Sequence, residues 1–102
     1  MKSLTHYIQE KLIIKKNKSM DYKYFPETNE ELKEIIKKRI KDEGNEVDLN
    51  DIDVSKITDM SELFEVTDFN GNISKWDVSN VKFIEEIFYK CPIEEKYKPK
   101  FK

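Results

Sequence analysis

At 102 residues the chain has the length of one domain, with room for a modest core. Charged residues make up 39%, and aromatics at 12% argue against an intrinsically disordered chain. The net charge of −2 is uneven: residues 47–90 hold 4 Lys/Arg against 10 Asp/Glu between weakly basic flanks, which argues against nucleic-acid binding by the acidic stretch.

In chain order, Leu4, Tyr7, Ile8 and Leu12 fall at helical spacing behind Ser3, so a short amphipathic helix is expected there. The longest apolar run near the start, Leu12-Ile13-Ile14, is too short for a signal peptide or a membrane span, and the chain is expected to be soluble. Lys15-Lys16-Asn17-Lys18-Ser19 breaks the pattern as a loop, and Tyr22-Lys23-Tyr24 alternates as a short strand before Pro26. Thr28-Asn29-Glu30-Glu31 is a capping box: the Thr28 hydroxyl accepts from the Glu31 amide, and the Glu31 carboxylate reaches back to the Thr28 amide. Leu32, Ile35, Ile36 and Ile40 then share one face and Gly44 stops the helix, which places it at about 28–43.

After Gly44 the chain repeats itself. Residues 49–64 align with residues 73–88 at an offset of 24. Asp, Val, Ser and Phe are identical at 53/77, 54/78, 55/79 and 64/88, and apolar character is kept at 49/73, 52/76, 57/81, 60/84 and 63/87. Each copy reads as a short strand, an Asp-Val-Ser corner and a short helix, with Ile57, Met60, Leu63 and Phe64 on one face and Val81, Ile84, Ile87 and Phe88 repeating it. A period in the twenties of this kind is leucine-rich-repeat-like. Two units leave both ends open, so residues 1–46 are read as a helical N-terminal cap and residues 91–102 as a closing segment of the same single domain, 1–102.

Trp76-Asp77-Val78-Ser79-Asn80-Val81 resembles the Trp-Asp-Val-Ser-Asn-Val signature of BspA-like surface-protein repeats. Ile57-Thr58-Asp59-Met60-Ser61-Glu62-Leu63-Phe64 is similar to the helix of that family, and Phe69-Asn70-Gly71-Asn72-Ile73-Ser74-Lys75-Trp76 to its link. The likeness spans roughly residues 47–91; Phe83-Ile84 and Glu86-Ile87 depart from it, as in a degenerate terminal unit. Such repeats occur in mycoplasma-type lipoproteins, gut bacteria and their phages. The resemblance implies a right-handed solenoid with a protein- or surface-binding role and carries over no catalytic residue. The opening Met1 to Leu12 is similar to leaders on short proteins of large tailed phages, some of which resemble capsid-targeting segments. With no signal peptide, host cytoplasm or virion is expected in preference to secretion.

The residues offer little catalytic chemistry. His6 is the sole histidine and reads as a surface residue. Cys91 is the sole cysteine, so no intrachain disulfide forms; it has no nearby basic partner and reads as inward packing. Asp68-Phe69-Asn70-Gly71-Asn72 begins like a calcium loop, but Ile73 and Ser79 stand where such a loop needs Gly and Glu. Asp48, Asp51, Asp53 and Asp59 read as a solvated, corner-capping edge rather than a cation site. Glu85-Glu86 and Glu94-Glu95 are sequence neighbours and do not face each other as an acid/base pair on a helix. Two glycines are too few for a phosphate loop, and Tyr22, Tyr24, Phe25, Tyr97 and Phe101 read as packing at the two ends.

The sequence thus gives an α+β reading: a short leucine-rich-repeat-like solenoid of two 24-residue strand-turn-helix units with a helical N-terminal cap. The function read from it is a non-catalytic protein-protein interaction module without cofactor or metal, with no nucleic acid partner and no membrane span, monomeric or a small homo-oligomer. Asp59, Glu62, Glu65, Asp68, Glu85 and Glu86 are the candidate partner-binding residues on an acidic repeat surface. Leu4, Tyr7 and Ile8 are the candidate docking face for a virion-associated protein. An intracellular inhibitor of a host protein is the third reading.

Overall fold

The computed structural model describes residues 22–101. The expected amphipathic helix with Leu4, Tyr7 and Ile8, and His6, lie outside the described residues.

Among the described residues one α-helix, α1, runs Asn29–Glu43. Thr28 caps it, its hydroxyl accepting from the Glu31 amide at 3.1 Å. The Glu31 carboxylate returns one residue earlier than a standard capping box, accepting from the Glu27 amide at 2.8 Å. Gly44 ends α1 at φ 97°, its amide donating to Ile40. Leu32, Ile36 and Arg39 form the buried stripe, with Ile35 and Ile40 half-buried beside it.

The expected strand-turn-helix solenoid does not form. Among the described residues there is no sheet; the extended pairings are two isolated parallel bridges, Tyr24 with Ile52 and Asp59 with Phe83. Nor is there a helix at 57–64 or 81–88; among the described residues the only other helical piece is a single 3-10 turn, Glu95–Tyr97. Both copies are built instead from consecutive tight turns. In the segments expected to be strands, the Ile52 amide turns back to Leu49 and the Trp76 amide to Ile73. In those expected to be helices, Leu63 bonds back to Met60 and Glu65 to Glu62, just as Ile87 does to Ile84 and Tyr89 to Glu86. Glu62, Val66, Glu86 and Lys90 sit at φ between 54° and 59°, where a continuous right-handed helix cannot pass.

The spacing of apolar residues explains both errors. Leu49 and Ile52 are three apart, whereas a half-buried strand repeats every two residues. Ile57, Met60 and Leu63 are also three apart, and a succession of three-residue turns returns them to one side as well as a helix would. The segment is too short for a helix to hold on propensity alone. Cross-copy bonds take its amides instead: those of Met60, Glu62, Phe64 and Val66 donate to Phe83, Glu85, Ile87 and Tyr89 of the second copy at 2.7–3.0 Å.

The Asp-Val-Ser corners form as side-chain-capped turns. Asp53 accepts from the amide and hydroxyl of Ser55, Asp77 does the same for Ser79, and Asn72 for Ser74. The core lies between the copies and under α1. Leu32, Leu49, Ile52, Ile57, Met60, Phe64, Phe69 and Ile73 are almost wholly buried. Phe64 is central, stacked on Phe69 at 4.5 Å between ring centroids and near Trp76 and Phe88 at 6.0 and 5.9 Å. The Trp76 indole donates to the Leu49 carbonyl across the copies.

Burial is unequal between the copies. Met60 is fully buried, while its counterpart Ile84 is 39% exposed, so the second copy does not repeat the whole apolar face of the first. The closing segment covers only part of that copy: Ile93 is buried, Glu94 and Asn70 exchange two hydrogen bonds, and the Ile73 amide donates to Tyr97.

Candidate functional site

The turn segments place the acidic candidates on the outer surface. Glu62 and Glu86 occupy the same left-handed turn position in the two copies, and Glu65 closes the turn that Glu62 opens in the first, its amide donating to the Glu62 carbonyl. Stacking of the copies therefore brings Glu62, Glu65 and Glu86 together, one carboxylate oxygen of each lying within 4.8 Å of the others. Repulsion follows. The hydrogen bond with Glu86 is the main reason the Glu65 carboxyl sits above its ordinary value, helped by desolvation and by the charges of Glu62 and Glu86; Lys33 of α1 opposes this. Three carboxylates alone fall short of the roughly six to eight oxygens that calcium collects.

Asp59 and Glu85 join this face through Ser61. The Ser61 amide donates to Asp59 and its hydroxyl to Glu85, at 2.8 and 3.0 Å. The Ser61 amide, then its hydroxyl, holds the Asp59 carboxyl below its ordinary value, and the Ser79 hydroxyl and amide do so for Asp77. Asp68 is exposed and makes none of these contacts.

The remaining aspartates cap or pair. Asp48 and Asp53 accept from the amides two residues on, and Asp51 receives Arg39. Cys91 is half-buried; its thiol donates to the Phe69 carbonyl at 3.2 Å and lies 3.6 Å from the Thr67 hydroxyl.

Arg39 and Asn29 escaped the sequence reading. Burial would lower the pKa of the Arg39 guanidinium, but hydrogen bonds and charge from Asp51 and Glu43 outweigh it, so the pKa is raised. It also reaches the Asp48 carbonyl and lies over the Tyr24 ring at 5.3 Å, tying α1 to the first copy. The signal was its spacing, since Leu32, Ile36 and Arg39 fall on one helical stripe. Asn29 gave no such signal; its side-chain amide donates to the Asp59 and Ser61 carbonyls at 2.9 and 3.4 Å.

Among the described residues no helix is long and apolar enough to cross a membrane. No curated protein matches the chain, and no solved structure does. One family model does, over residues 30–96, which takes in α1, both copies and the start of the closing segment. The chain belongs to the family described as mycoplasma protein of unknown function, DUF285.

Proposed function

We propose that the chain is a non-catalytic protein-binding module of the BspA-like repeat kind that meets a basic partner through its acidic turn face. The observation that supports it is the trio of Glu62, Glu65 and Glu86, held together despite mutual repulsion, with Lys33 the cation near it. Like charges so placed weaken folding, so the arrangement serves something other than stability. A basic partner would neutralise it and would be drawn to it over a distance that salt shortens.

The test is capture by the immobilised full chain, compared with Glu62→Lys/Glu65→Lys. Both substitutions are on exposed or half-exposed positions and leave the buried faces alone. The double variant should melt no earlier than the parent and should lose the captured protein, and parental capture should weaken about tenfold between low and physiological salt. Undiminished capture by the variant removes the proposal.

A further inference from the structure

The ladder between the copies is directional, and it ends open. In the first copy the amides of Met60, Glu62, Phe64 and Val66 all donate across to the second. Their counterparts are the amides of Ile84, Glu86, Phe88 and Lys90. These meet no acceptor among the described residues. The second copy repeats the conformation of the first, with the same turn bonds and with Glu86 and Lys90 at the φ values of Glu62 and Val66. Its free amides therefore point the same way, outward. The Lys82 carbonyl also meets no donor among the described residues, whereas its counterpart at Thr58 accepts from Lys82 and Phe83.

Beside this row lies a groove of about 1010 Å³, lined by Trp76, Val78, Ile84, Ile87, Phe88 and Phe101 among others. Phe83, Ile84 and Tyr89 expose large apolar surface next to it. The first-copy counterparts of the groove residues Trp76, Val78, Ile84, Ile87 and Phe88, namely Ile52, Val54, Met60, Leu63 and Phe64, are buried.

We infer that this edge docks a further turn unit of the same kind, carried by another protein chain and presenting an uncovered row of carbonyls. The interface between the two copies is the template, and the new contact continues it by one step. Three other occupants fit worse. An extended strand turns N–H and C=O groups alternately to the same edge, so half of its groups would face donors with donors. A second, identical edge offers amides to amides, which excludes symmetric pairing through the row. On this chain's own first copy Asn29 of α1 already takes the Asp59 and Ser61 carbonyls, two of the four in the row, so a second copy of the chain would offer a half-filled row. The inference uses a different edge from the acidic trio and stands if that face binds nothing.

The test uses the full chain, isotope-labelled, with a synthetic peptide of residues 47–70 as the probe. On saturation, exchange of the Ile84, Glu86, Phe88 and Lys90 amides should slow about tenfold or more, while those of Met60, Glu62, Phe64 and Val66 should not change. Trp76, the sole tryptophan and a groove residue, should report the same saturation by fluorescence. Ile84→Lys should weaken binding about tenfold, and a peptide with Asp at the Met60 and Phe64 positions should not bind. A free peptide can fail merely because it must order itself. The same 24 residues are therefore also joined to Lys102 of the full chain by a flexible linker, which raises their effective concentration to about millimolar. Slowed exchange at those four amides in either format supports the inference. No slowing in both formats, equal slowing with a scrambled sequence, or slowing that follows self-association of the unmodified chain overturns it.

Discussion

Gly71 leaves no room for a side chain. A Cβ there would stand 1.9 Å from the Val47 carbonyl oxygen and 2.7 Å from the Phe69 ring, both of them in the packed interior. Gly71→Ala should cost about 3 kcal/mol, read as a shift in denaturant midpoint without change in slope. Val66 presents the opposite case. A β-branched residue at φ 54° is strained, its side chain is 66% exposed, and only its amide bond to Tyr89 is of structural use. Val66→Gly keeps that bond and should stabilise the fold by up to about 1 kcal/mol; a lower midpoint would show that the side chain contributes more than the strain removes. At Arg39, replacement by Ala strands Asp51 and frees α1 from Tyr24, and a loss of about 2–3 kcal/mol is expected, reduced from the fully buried case because Glu43 is half exposed.

At the scale of elements, α1 was legible because its signals are local and agree: a cap at Thr28, an apolar stripe from Leu32 to Ile40 and a stop at Gly44. Thr28→Ala should therefore lower stability by about 1 kcal/mol, checked by thermal melts. The Asp-Val-Ser corners were legible for the same reason. The turns of residues 57–66 and 81–90 were not, since every third residue facing inward suits a helix and a chain of turns alike. What decides between them is the amide pairing with the neighbouring copy, a long-range term that no local window contains. Of the acidic candidates, Glu62, Glu65 and Glu86 converge because the 24-residue offset superposes 62 on 86; Asp68 stands apart, as its link has no acidic counterpart at Pro92.

The whole molecule should respond to pH with two opposed slopes. Glu65 is raised above 4.5, so its repulsion is present at neutral pH and relieved as pH falls through the raised value. Asp59 and Asp77 are lowered below 3.8, so their contributions are complete above 3.8 and lost as pH falls beneath it. Denaturant midpoints should thus rise as pH falls from neutral toward 4.5 and drop below 3.8. Glu65→Gln should abolish the rise and keep the drop; an unchanged rise would mean that other carboxylates produce it.

The alternation of the turn ladder has a consequence for how such chains change length. Between Met60 and Val66, even-numbered amides reach across to the neighbour, while those of Leu63 and Glu65 close turns within the copy. Inserting one residue after Glu62 would exchange the two roles downstream, aiming turn-closing amides at the neighbour and folding the crossing ones inward. An insertion of two would preserve the parity but carry the buried Leu63 and Phe64 off the inward every-third positions. Viable length variants should therefore differ by whole units, a frame rule written in hydrogen bonds rather than codons.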